Sequence, residues 1–368
     1  MLNIILAILV FGLIVLIHEF GHFLLAKMNG IGVVEFSIGM GPRLFSIQGE
    51  ETQYSIKALP FGGSCMMLGE DGSESDPKAF NNKSVLARIS VIFAGPFFNF
   101  ILAFIFAVII IATLGHDTAY VYDTLEGTPA REAGLENGDI IKKINGKTIV
   151  GKNDVVLYVA AHPGEPLDVT YLRPEGGTPL EGSAPEGKKG IIPYAKGQMY
   201  TTTIVPEYSE ENGGYKMGVS FYGYYEKPEN FLELMGYSVN QIQFCIRSTF
   251  DSLKLLFTGQ VKADEAVAGP VRIVSMIGES VGENREYGLT STLLTLSNWC
   301  LILSATLGIM NLLPIPALDG GRLVFLVLEG LRGKPIDREK EGMVHLAGFA
   351  VLMVLMVVVL FNDIRSFF

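Results

Sequence analysis

The densest chemistry in this sequence lies in Ile17-His18-Glu19-Phe20-Gly21-His22. Residues four apart share a helix face, so His18 and His22 can reach one metal ion. Glu19 is placed to act as a base on water activated by that metal. His-Glu-x-x-His is a zinc-binding pattern of hydrolytic enzymes. The pattern is short, so its setting matters. The chain has five histidines, and two of them fall four apart around a glutamate. No charged side chain precedes His18, and Phe23-Leu24-Leu25-Ala26 continues the apolar run up to Lys27. Ionisable groups inside a run long enough to span a bilayer are costly there and mark function. The alternative is a packed histidine pair without metal.

A catalytic zinc site takes three protein ligands and keeps one position open. The third ligand expected here is Asp319, in Asn311-Leu312-Leu313-Pro314-Ile315-Pro316-Ala317-Leu318-Asp319-Gly320-Gly321. Pro314 and Pro316 remove helical hydrogen bonds and extend the chain. Gly320 and Gly321 permit a sharp turn or a close backbone approach. The alternative for Asp319 is an Asp-Gly turn at a membrane surface.

Several elements must position these residues. Four apolar stretches are long enough to span a bilayer: 1–17 continuing through the histidine motif to 26, 89–114, 288–318 and 342–362. The third ends in the proline-rich segment, so its helix is shorter than the stretch. Trp299 fits an interfacial anchor or a packed core residue. Hydrophobic residues make up 49% of the 368, and the mean hydropathy is +0.36. Together these indicate an integral membrane protein with a sizeable polar part. The net charge of −10 argues against a nucleic-acid partner. Cys65, Cys245 and Cys300 are scattered, with no disulfide framework. The N-terminus lacks the basic start and the small-residue cleavage site of a signal peptide, and is expected to be retained.

The link between the first two stretches carries Arg43, Lys57, Lys78, Lys83 and Arg88; that between the last two carries Arg322, Arg332, Lys334, Arg338 and Lys340. By the positive-inside rule both links face the cytoplasm, leaving 116–287 and both termini outside. The chain divides into an N-terminal membrane part at 1–114, a soluble α/β module at 115–225, an amphipathic connection at 226–287 and a C-terminal membrane part at 288–368.

Residues 33–38 and 54–59 read as strands punctuated by Gly39, Gly41, Pro42, Gly49, Gly62 and Gly63. The apolar, glycine-bearing run 59–68 is either part of a cytoplasmic hairpin or an element at membrane depth lining a cavity. A strand beside the metal site could pair with an extended substrate. The acidic stretch 71–76 lacks the calcium-loop pattern and reads as a solvated turn. In the module, Asn145-Gly146 is a hairpin turn. Asn153 is expected to cap a helix running to His162. Residues 167–172, 201–205 and 217–221 read as strands, with a Gly-, Pro- and Lys-rich insertion at 174–198. His116 and His162 are expected at the surface. Residues 231–257 have helical periodicity and either lie in the membrane interface or pack on the module.

The His18–His22 motif and the segment 311–321 together resemble the site-2 protease family of intramembrane zinc metalloproteases, in its bacterial regulator-of-sigma-E branch. Pro60-Phe61-Gly62-Gly63, Phe80-Asn81-Asn82-Lys83-Ser84, Ala94-Gly95-Pro96-Phe97-Phe98-Asn99 and Gly269-Pro270-Val271 match that branch. Residues 134–141 resemble the start of a PDZ domain. The resemblance covers nearly the whole chain. It implies an α-helical membrane protein with about four spans, a membrane-associated β-element and one extracytoplasmic PDZ-like domain. It implies Zn2+ held by His18, His22 and Asp319, with Glu19 as general base and acid. Asn311, Pro314, Pro316, Gly62 and Gly63 would contact substrate. The partners implied are the lipid bilayer and single-span membrane proteins of a bacterial plasma membrane. Two rivals remain: a transporter or ion channel using His18, Glu19 and His22 as a proton relay, and a non-catalytic scaffold that binds through its PDZ-like module and leaves the histidine motif unexplained.

Overall fold

The computed structural model describes residues 2–70, 74–175, 197–210, 214–221, 225–258 and 268–365. Most of the insertion expected at 174–198, namely 176–196, lies outside the described residues, as do 71–73 of the acidic turn. The chain forms two compact units: Met1–Ala107 with Thr258–Phe368, and Val108–Phe257.

The first unit begins with helix α1, Leu2–Met28, then strands β1, Val33–Gln48, and β2, Gln53–Met67, and the start of helix α2, Val85–Leu114. Both helices are apolar almost throughout, and a helix satisfies its own backbone polar groups in lipid. Gly21 lets α2 come close: a Cβ there would lie 2.5 Å from the Ala94 carbonyl oxygen.

β1 and β2 pair antiparallel and run well past the stretches expected from sequence. Gly39 and Gly41, read as strand ends, lie inside β1 at φ +85° and +87°, where the register shifts. There β1 folds back on itself: residues 35–38 lie between 53–56 and 63–66 of β2, and residues 43–48 pair with the other side of 53–57. Toward its tip the hairpin is apolar and exposed: Met40, Leu44, Phe45, Ile47, Ile56 and Leu59 are each 49–70% exposed. Between Gln53 and Met66 of β2, Glu35 is buried and accepts hydrogen bonds from Arg43 Nε and Ser55 Oγ, each at 2.7 Å. Lys57 Nζ stands 3.3 Å from the same carboxylate. The Arg43 bond, helped by Ser55 and Lys57, holds the Glu35 carboxyl down to about 2.

The second unit is an α/β module. Its antiparallel sheet has the order β4-β3-β5-β6, with β3 at Ile140–Ile144, β4 at Lys147–Thr148, β5 at Leu167–Pro174 and β6 at Gly197–Ile204. Asn145 and Gly146 make the expected turn, both at positive φ. Helix α3, Lys152–Ala161, covers a core of Leu135, Ile141, Ile144, Val155, Val159, Leu167 and Val169. Its cap departs from expectation. Gly151 is the cap residue, and the Asp154 carboxylate accepts the Val150 and Gly151 N–H groups at 2.9 and 3.1 Å. Asn153 lies within the first turn, because an acid three residues after the cap can turn back onto the backbone. The strand expected at 217–221 is reduced to Val219–Ser220, paired with Asp123–Thr124.

His116, expected at the surface, is buried and stacked on Tyr237 with ring centroids 4.6 Å apart. Helix α4, Phe231–Phe257, supplies that tyrosine and docks on the module. Arg247 donates to Asp154 at 2.8 Å, and Lys147 reaches Asp251 at 3.5 Å. Packing on the module, one of the two alternatives for this helix, is therefore what its polar face does.

The first unit resumes with α5, Pro270–Arg285, α6, Leu289–Leu312, α7, Asp319–Arg332, and α8, Arg338–Arg365. Among the described residues, α1, α2, α6 and α8 are long and apolar enough to cross a membrane. Val10, Ile14, Leu102 and Cys300 join α1, α2 and α6 in one cluster, and Ala7, Ile277 and Val281 join α5 to α1. Trp299 packs against this second cluster. The start of α5 is capped from a distance: the Gly269 and Arg272 N–H groups each donate to the Asp363 carboxylate at 3.0 Å.

Candidate active site

α1 presents His18 and His22 on one face, one turn apart, toward α2 and the start of α7. His18 Nε2 and His22 Nε2 are 3.2 Å apart. Asp319 Oδ2 stands 3.2 Å from the first and 3.5 Å from the second. The two histidines are buried and Asp319 is half-buried.

The donor inventory decides what these three atoms can hold. His22 Nδ1 meets the Val91 carbonyl oxygen at 2.8 Å, which makes Nδ1 the protonated nitrogen. Its Nε2 then turns a lone pair toward Asp319. Asp319 Oδ2 is buried, with no hydrogen-bond donor assigned to it. Lone pairs converging without a shared proton repel one another unless a cation lies between them. Tetrahedral zinc with bonds near 2.0–2.1 Å sets its ligand atoms about 3.3 Å apart, close to the observed spacings. The residues fit zinc in number, type and spacing.

The surroundings explain how the sequence builds this geometry. Pro96 cannot donate to the Ile92 carbonyl, so it loosens the turn of α2 that also carries Val91. Gly95 passes directly over the histidines. A Cβ there would lie 2.3 Å from His22 Nε2 and 2.8 Å from His18 Cε1. Asp319 opens α7, where the helix N-terminus favours a carboxylate. Gly320 and Gly321 lie tight against the preceding loop: a Cβ on either would come within 2.1 Å of Leu313 O or 2.5 Å of Ile315 O. Arg88 of α2 donates to Glu329 of α7 at 3.1 Å, tying together the two helices that flank the site.

A cavity of about 210 Å³ opens beside the three atoms. Glu19, Gly63, Ser64, Cys65 and Met67 line it, with Glu70 paired to Arg322 at its edge. Gly63 lies so near Glu19 that a Cβ would sit 3.0 Å from Glu19 Cγ. Of the other expected substrate contacts, Gly62 has φ +84° and faces Met40, outside the lining. Asn311, Pro314 and Pro316 are also outside it; Asn311 and Pro316 are half-buried and Pro314 is exposed. The structure thus brings His18, Glu19, His22, Asp319 and Gly63 to one cavity.

Residues 6–355 match peptidase family M50. The chain belongs to that family. It is the site-2 protease family that the two metal motifs resemble, and the four apolar helices make this member a multi-pass membrane protein. A Clostridium acetobutylicum protein is 38% identical over 362 residues, covering 98% of this chain and 97% of its own. Zinc metalloprotease RasP of Geobacillus kaustophilus is 32% identical over 443 residues, covering 98% of this chain and 97% of its own. Regulator of sigma-W protease RasP of Bacillus subtilis is 30% identical over 444 residues, covering 98% of each chain. A solved PDZ domain of an SdrC-like protein from Listeria monocytogenes covers 28% of this chain and 87% of that one. Its identity is 17% and its TM-score 0.21, too low to argue from.

Sequence reasoning missed several residues around the site in this peptidase. Val91 was visible only as part of an apolar helix, and Gly95 only within the matching segment 94–99, with no role attached to it. Arg322 was counted as a topological charge, yet it lines the cavity with Glu70. The signal for Gly95 was its place beside Pro96, a pair that marks a disturbed helix turn.

Proposed function

We propose that this chain is an intramembrane zinc metalloprotease, with His18, His22 and Asp319 as zinc ligands and Glu19 as general base and acid. The observation that carries this reading is the convergence of three lone-pair atoms beside Glu19 from opposite ends of the sequence. When bound, zinc supplies Lewis-acid polarisation of the scissile carbonyl and lowers the pKa of water beside it.

The protein's own groups do the rest. Glu19 takes a proton from the attacking water and delivers it to the leaving nitrogen. Val91 holds His22 through Nδ1, so the ring cannot turn its Nε2 away from the site. A transmembrane substrate hides its carbonyls in its own helical hydrogen bonds and must unwind before it is cut. Among the described residues, 63–67 of β2 pair on one side only, with 33–38 of β1, which leaves their other edge open. Residues Gly63–Met67 border the cavity, which supports pairing with an unwound substrate segment at that edge. Gly62 and Gly63 keep side-chain bulk away from such a peptide. Asn311, Pro314 and Pro316 lead into Asp319 and bound the substrate path beyond the cavity.

The substrates of this reading are single-span membrane proteins, of which anti-sigma factors and signal-peptide remnants are examples. The name of the Bacillus subtilis relative supports the first. The exposed apolar tip of the hairpin supports contact with the lipid bilayer. The protein belongs in a bacterial plasma membrane, with its α/β module outside by the charge of the two links. That module is PDZ-like and restricts access to short extracytoplasmic partners.

The test is cleavage of a labelled single-span substrate by purified protein in detergent, with zinc content measured alongside. Cleavage by wild type that Glu19→Gln abolishes while zinc is retained supports the assignment. Equal cleavage by both proteins, or wild type without zinc, removes it.

A further inference from the structure

The two histidines are held by different kinds of partner. His22 Nδ1 has a backbone carbonyl, which can only accept. His18 Nδ1 faces the side-chain carboxamide of Asn99, whose Nδ2 is placed 3.2 Å away. Asn99 lies on α2, one turn after Gly95, and is fully buried. Its own position is fixed from a third helix: Ser304 Oγ of α6 donates to the Asn99 backbone oxygen at 2.9 Å. Close by, a Cβ on Gly308 would sit 3.2 Å from Pro96 O, so α6 and α2 lie tightly together there. The Asn99 Oδ1 atom is buried without a hydrogen-bond partner.

A carboxamide can present either end to a neighbour, and its oxygen and nitrogen exchange places by a half-turn. His18 can give its Nε2 lone pair to a metal only when Nδ1 carries the proton. A protonated Nδ1 needs an acceptor, and Asn99 Oδ1 is an acceptor that lacks a donor. We propose that Asn99 is a positioning residue for His18, its carboxamide oxygen accepting the Nδ1–H and so holding the Nε2 lone pair toward His22 and Asp319. Asn99 does for His18 what the Val91 carbonyl does for His22. This rests on the zinc reading of the site. It gives the Gly-Pro-x-x-Asn segment two tasks on successive turns of one helix: Gly95 makes room for the rings, and Asn99 orients one of them.

The experiment measures zinc affinity of the full chain in detergent, by competition with a chromophoric chelator. It compares wild type with Asn99→Leu, Asn99→Ala and Asn99→Asp. Leu approximates the volume and removes the acceptor; Asp keeps an acceptor in place. The expected result is a loss of roughly 10–100-fold for Asn99→Leu and binding by Asn99→Asp at least as tight as wild type. Should Asn99→Leu not fold, Asn99→Ala gives the same comparison without crowding. The proposal is overturned if the apolar variants bind zinc within twofold of wild type. It is equally overturned if Asn99→Asp is as weak as they are, since burial and not hydrogen bonding would then be what Asn99 supplies. Wild type that binds no zinc would remove the site reading itself, which is a separate result from either.

Discussion

His345 Nδ1 accepts the backbone N–H of Ala317 at 2.9 Å. Ala317 has φ +76°, a left-handed conformation that an alanine rarely adopts, and it lies two residues before Asp319. The imidazole of α8 thus helps hold a strained backbone turn just before Asp319, the proposed third metal ligand. Such strain costs of order 1–3 kcal/mol and persists where the surroundings over-determine it. His345→Phe is expected to weaken zinc retention, and adding Ala317→Gly to recover part of it, because glycine accepts the same φ freely. Chelator competition on the single and double variants checks this. No recovery in the double variant would mean that His345 acts by packing on Phe325 instead.

Gly95→Ala places a methyl group where His22 Nε2 and His18 Cε1 now lie. The backbone of α2 is also held by α6, where a Cβ on Gly308 would lie 3.2 Å from Pro96 O and Ser304 donates to Asn99 O. The expected outcome is a protein that inserts and folds but loses zinc and activity together. Metal analysis of purified protein decides it, and full zinc occupancy in the alanine variant would contradict the close approach.

Glu35 ties the hairpin together through Arg43, Ser55 and Lys57, and its carboxyl is held down to about 2 from an ordinary value of 4.5. A depressed acid contributes stability that is complete above its unfolded value. That stability is lost as pH falls through the folded value. The hairpin should therefore loosen between about pH 4.5 and about pH 2. Thermal unfolding in detergent across that range should show a smaller drop for Glu35→Gln than for wild type. Parallel drops in the two proteins would place the acid sensitivity elsewhere.

Asp363 accepts two N–H groups at the start of α5, and it is almost fully buried. Losing such a cap costs about 0.5–2 kcal/mol, with the orphaned buried N–H groups pushing toward the upper end. Asp363→Ala should lower the thermal midpoint, while Asp363→Asn, which keeps one acceptor, should lower it less. Equal losses would show that the hydrogen bonds are not what the carboxylate contributes.

The fold was legible where it depends on local composition. Spans follow from uncharged length, and the metal motif follows from a spacing of four on a helix. Asp319 could be picked out because prolines and glycines surround it in sequence. What stayed hidden depends on groups far apart in the chain. The partners of His22 and His18 lie 69 and 81 residues away on α2. Gly39 and Gly41 look like the end of a strand, but that the chain then returns to pair with the far side of 53–57 depends on partners the local sequence does not name. His116 reads as a surface residue until Tyr237, more than a hundred residues later, is stacked on it. His345 has no neighbour in sequence that hints at Ala317.

Asp319 is made about 300 residues after His18 and His22. At roughly 5–20 residues per second, tens of seconds separate the synthesis of the two histidines from that of the aspartate. Throughout that interval the nascent chain holds the helix with Glu19 but only two of its three metal-facing atoms. An enzyme that cuts membrane helices is made among unfinished membrane helices, its own included. With Asp319 some 300 residues after the histidines, a growing chain cannot bring the three atoms of the proposed site together until that whole stretch has been synthesised.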